Sequence, residues 1–78
     1  MTDSDIRSLE RLLQQATEAE HAALHRGDGT WPTAVLATRD ALRSLNIARR
    51  RSGLDLVPLP GVPAAVGAKF ARMDLEGA

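Results

Sequence analysis

The stretch His25-Arg26-Gly27-Asp28-Gly29-Thr30-Trp31-Pro32 decides the fold, because it punctuates a chain that otherwise reads as helix on both sides. Gly27 suits the C′ position that closes a helix, and His25 and Arg26 place basic groups at the negative end of the helix dipole. Asp28 and Gly29 are turn formers. Thr30 then offers an N-cap for a second helix, and Pro32 is tolerated in a first turn whose N–H groups lack intrahelical partners. Two helices joined by about four residues predict an antiparallel αα-hairpin.

Upstream, residues 3–26 contain neither Gly nor Pro and repeat Ile6, Leu9, Leu13, Ala16 and Ala23 at helical spacing, flanked by Leu12 and Leu24. Asp3 or Ser4 is placed to cap this helix, and Asp3 and Asp5 complement its dipole. Downstream, residues 31–51 carry Trp31, Val35, Thr38, Leu42 and Leu45 on one stripe, widened by Ala34 and Ala41, and end at Ser52-Gly53. The hairpin therefore occupies residues 1–53. Residues 54–63 hold Pro58, Pro60 and Pro63 among Leu54, Leu56, Val57, Leu59 and Val62. The residue before each proline is driven out of the α region, so this apolar segment is extended. Pro63 opens a short helix over 63–73 with Val62, Val66, Phe70 and Met73 on one stripe, and 74–78 reads as a frayed tail.

The fold class is thus all-α, a two-helix hairpin followed by an extended segment and a short helix. A 78-residue chain of this kind buries only about 60–65 % of its unfolded surface, so the hairpin needs a second layer. Leu36 and Ile47 lie off the main stripe of the second helix and mark a second apolar flank. Pairing of two hairpins into a four-helix bundle is the preferred way to cover it. The alternative is that Val57 to Met73 folds back across the flank, and the two are compatible.

Composition limits the function classes. Ten Lys+Arg balance ten Asp+Glu, and no cysteine is present. No net field steers the chain to nucleic acid or an anionic membrane, and disulfides, thiolates and cysteine zinc sites are excluded. No apolar run approaches the roughly 20 residues that span a bilayer, and no secretory signal pattern is evident. The expected setting is cytoplasmic or within a particle assembled inside the cell.

Four constellations bear on function. Glu20 falls on the apolar face of the first helix and, in the hairpin, opposite Thr38 and Arg39; the three predict a polar layer that fixes register. Glu18, His21 and His25 share a flank at metal-ligand spacing, but that flank is polar, so they read as a solvated face with incidental metal affinity and no metal site or cofactor is assigned. Arg39, Arg43, Arg49, Arg50 and Arg51 could contact phosphates, yet they spread around the helix, and Arg49 is expected beside Asp3 and Asp5. Leu36, Ile47, Leu56, Val57, Leu59, Val62, Val66 and Phe70 form the expected interface with a second copy or another protein.

No nucleophile with a base and orienter is apparent among Ser4, Ser8, Ser44 and Ser52, and Gly27-Asp28-Gly29 follows no strand, so it is no phosphate cradle. The leading expectation is a non-enzymatic interaction or assembly protein. It would be an oligomeric scaffold, adaptor or accessory subunit, of phage or capsid structure for example, docking through its apolar C-terminal segment. The alternative is an antitoxin-like, nucleic-acid-associated regulator using the arginines. A metal-binding helical bundle is the most distant reading.

Overall fold

The computed structural model describes residues 3–76, apart from the Asp3 side chain. The chain forms α1 (Asp3–Arg26), α2 (Trp31–Arg51) and α3 (Ala64–Glu76), with no strand among the described residues. Ile6, near the start of α1, is buried with Leu45 and Ala48, near the end of α2, and Leu9, Leu13 and Val57 pack against them. That pairing is the antiparallel arrangement. Leu42 and Leu45 are each only 1 % exposed, and burying one such side chain contributes about 1.5–3 kcal/mol.

The end of α2 reverses the chain. Leu54 N–H donates to the Arg49 carbonyl at 2.8 Å and Gly53 N–H to that of Arg50 at 3.2 Å. Gly53 adopts φ +75°. This is a Schellman closure, and it sends residues 54–63 back along the hairpin. The extended segment has no helical bonds of its own, so its buried polar groups need partners from elsewhere.

Asn46 supplies them. Its Nδ2 donates to the Val57 carbonyl at 3.0 Å, and Val57 N–H donates to its Oδ1 at 2.7 Å. The residue is 1 % exposed. One side-chain amide thus pairs both backbone groups of Val57 and holds Leu56, Val57 and Leu59 half-buried.

A second close contact docks α3. Leu59 N–H donates to the Gly67 carbonyl at 3.1 Å. A Cβ on Gly67 would stand 2.6 Å from the Leu59 oxygen and 3.0 Å from its nitrogen. Gly67 therefore allows a helix and an extended backbone to touch. The same helix face continues through Ala71 and Leu75, both buried. Phe70 sits under the Arg39 guanidinium and Leu75 lies beside Ile47, Arg50 and Arg51, so α3 runs in the same sense as α2. It packs against α2 and not against α1.

Several expectations are corrected. The stripe Val62, Val66, Phe70 and Met73 is not the packed face of α3; Val66 and Met73 are 56 % and 57 % exposed, and only Phe70 is half-buried. The face of Gly67, Ala71 and Leu75 is packed instead, because the close approach of the Leu59 backbone at Gly67 leaves no room for a side chain there. The helix also runs to Glu76 instead of ending at Met73, since Leu75 adds another buried position one turn beyond Ala71. Gly77 and Ala78 of the expected tail lie outside the described residues. Thr30 precedes α2 but makes no side-chain cap bond. Ser4 lies inside α1, where its carbonyl accepts from the Ser8 hydroxyl, and the Asp3 cap lies outside the described residues.

Two substitutions test this frame. Asn46→Leu keeps the volume but strands both polar groups of Val57, and urea unfolding should show a loss of about 2–4 kcal/mol. Gly67→Ala improves helix propensity, yet the contact with Leu59 should lower the melting temperature, with a cost of about 1–3 kcal/mol. A raised melting temperature would show that α3 docks elsewhere.

Candidate functional site

Large apolar side chains are exposed on every element: Leu12 and Leu24 on α1, Trp31 and Leu36 on α2, Leu54 and Val62 on the segment between α2 and α3, and Val66 and Met73 on α3. On α3, Val66 and Met73 point outward one helical face away from the packed stripe, and on α2 Leu36 is 62 % exposed. Arg39, Asp40 and Arg43 of α2 share a shallow recess with Leu36 and Asp74. The Arg39 guanidinium lies 4.8 Å from the Phe70 ring centre, a cation–π contact between α2 and α3. Of the expected interface residues, Leu36, Val62 and Val66 are exposed, whereas Ile47, Leu56, Val57, Leu59 and Phe70 are half-buried within the chain. Met73 belongs to the exposed set although it is absent from the expected interface. Its spacing of seven from Val66 is the signal that marks it.

A second apolar groove of about 300 Å³ runs between α1 and the extended segment. Leu13, Thr17, Val57, Pro58 and Pro60 line it, with Glu10 and Glu18 also along it. Val57, held in place by Asn46, is part of its lining.

The arginines do not converge. Arg49 Nε donates to the Asp55 carbonyl at 2.7 Å and Nη1 stands 3.8 Å from Glu10 Oε1. It therefore ties α1, α2 and the start of the extended segment together through Glu10 and Asp55; the anticipated Asp3 partner lies outside the described side chains. Arg39 and Arg43 share their recess with Asp40 and Asp74, and Arg50 borders another with Asp55 and Glu76. Interleaved carboxylates weaken any phosphate-binding field. Arg51 is exposed at the helix end.

The polar layer is arranged differently from the expectation. Thr38 is buried, but its hydroxyl donates to the Ala34 carbonyl one turn back at 3.1 Å. Such back-bonding satisfies a threonine without any cross-helix partner. Arg39 turns outward to Phe70. Glu20 is half-buried along a recess of about 170 Å³ with His21, Leu24, Trp31 and Pro60. The buried polar residue that pins the structure is Asn46 instead.

His21 and His25 lie on the exposed side of α1 with their Nε2 atoms 3.1 Å apart and ring centres 4.5 Å apart. Glu18 accepts a long bond from Gln14 at 3.4 Å and is turned to that neighbour. Among the described residues no group of three or more His, Cys, Asp or Glu is arranged around one metal position. No helix among them is long and apolar enough to cross a membrane.

The hairpin turn has its own electrostatics. Asp28 Oδ1 accepts from the Thr30 hydroxyl at 2.6 Å and from Thr30 N–H at 3.1 Å, while Oδ2 accepts from Arg26 Nε at 3.0 Å. The Thr30 bonds, with help from Arg26, lower the Asp28 pKa from 3.8 to about 2. The group is depressed in the fold, so its contribution is present above 3.8 and is lost as pH falls through about 2. Carboxyl titration by NMR should show this midpoint, and Asp28→Asn should remove the acid-induced change at the Thr30 amide.

No family model, no curated protein and no solved structure matches this chain.

Proposed function

We propose that this chain is a non-enzymatic interaction and assembly module, a small helical subunit that associates with a second copy or another protein through the outer face of α3. The observation that carries this is the double-sided character of α3. One face, Gly67-Ala71-Leu75, is buried on the hairpin, and the other presents Val66 and Met73 at more than half exposure. A helix that is apolar on both sides is suited to lie between two layers, and the described residues supply one of them, the hairpin. Leu36 of α2 is 62 % exposed as well. The docking role moves away from Leu56, Val57 and Leu59, which are engaged with the hairpin, to Val62, Val66 and Met73.

Association of this kind is hydrophobic at its centre, with Arg39, Arg43 and Lys69 available at the rim. The interleaved acidic residues around the arginines favour a protein surface over a polyanion.

Light scattering across a concentration series tests the reading. The intact chain should have a mass above that of the monomer, and Val66→Glu with Met73→Glu should return it to the monomer without changing helix content by circular dichroism. A mass unaffected by the paired substitution removes α3 from the interface. A monomer at every concentration removes self-association.

A further inference from the structure

We propose that His21 and His25 form a two-nitrogen chelate for a divalent metal ion of the Zn2+ kind, a property independent of docking through α3. The two residues are one helical turn apart on α1, and their Nε2 atoms approach to 3.1 Å. Two nitrogens bound to one tetrahedral zinc at about 2.0–2.1 Å lie about 3.3 Å apart. The pair therefore stands within about 0.2 Å of the separation a shared ion requires. The rings meet edge to face at 75°, so they do not stack over each other.

The metal-free pair and the metal-bound pair differ by a simple rearrangement. With both rings neutral, one Nε2 carries the hydrogen and donates it to the lone pair of the other. When the ion binds, that ring moves its hydrogen to Nδ1 through solvent, and both Nε2 lone pairs bond to the metal with no net release of protons. Both rings are exposed, so water completes the coordination shell. Glu18 is turned to Gln14 and no third His, Asp or Glu among the described residues joins the pair around one position, so the two imidazoles are the protein ligands. The local charge suits a cation: Glu20 lies along the same recess as His21, and the nearby Arg26 is paired with Asp28. Imidazole donors select zinc, copper and nickel over magnesium and calcium.

Calorimetric titration of the full chain with zinc chloride tests this, with magnesium chloride as the control ion. One zinc should bind per chain, and NMR should find both imidazoles in the Nδ1–H form once it is bound. His21→Ala and His25→Ala should each weaken zinc binding by about 100-fold or more, because the second ligand no longer acts at high effective concentration. Zinc should also raise the melting temperature of the intact chain and of neither variant, since the chelate ties the last turns of α1. Both positions are exposed on the helix, so circular dichroism should confirm that the variants fold. Absence of saturable zinc binding by the intact chain overturns the proposal, as does an unchanged affinity in either single variant or equal binding of magnesium.

Discussion

A helical hairpin encloses nothing by itself, and this chain completes it with an element that cannot satisfy its own backbone. The two hydrogen bonds between the Asn46 carboxamide and Val57 resolve that conflict. Without them, bringing Val57 onto Ile6, Leu45 and Ala48 would bury an unpaired N–H and carbonyl, which offsets much of the apolar gain. With them, the extended segment behaves locally like a strand paired to a side chain. Its position in turn sets where α3 can dock, because Leu59 must meet Gly67 for that helix to reach α2.

Docking through Gly67 has a second effect. Close backbone approach at Gly67 sets the face of Gly67, Ala71 and Leu75 as the buried side of α3, and that choice turns Val66 and Met73 outward. The surface proposed for assembly is thus a geometric result of how the core is closed. Arg49 reinforces the other end of the segment by joining Asp55 and Glu10. A basic residue that reads in sequence as a phosphate contact is here a brace between three parts of the chain.

The helical hairpin was legible because its signals are local: Gly27 and Gly53 stand where the helices stop, and Pro32 where one begins. The all-helical character follows from the spacing of Ile6, Leu9 and Leu13 and of Leu42 and Leu45. The orientation of α3 was not legible. A periodic stripe through Val66, Phe70 and Met73 is stronger in hydropathy than Gly67-Ala71-Leu75, and only the approach of the Leu59 backbone decides between them. The role of Asn46 is hidden for a related reason. An asparagine next to Leu45 reads as a polar interruption until the segment that needs its amide is known to lie eleven residues away. Glu20 stands out in sequence as a charge on an apolar face, yet the hairpin places it beside an open recess, and Thr38 needs only its own helix.

The attachment of α3 gives the molecule an uneven distribution of cohesion. The helix touches α2 and the extended segment, and it leaves α1 untouched. Releasing it means breaking the Leu59–Gly67 bond and the Arg39–Phe70 contact and exposing Ala71 and Leu75, while the Asn46 amide would still hold Val57 on the hairpin. The structure therefore joins a broad α1–α2 contact to a narrower α2–α3 one. Segments of low local contact density open at lower local free energy, and among the helices that describes α3. An assembly formed through the outer face of α3 would anchor it from the other side, so that the most weakly held helix of the isolated chain becomes an interior layer of the complex.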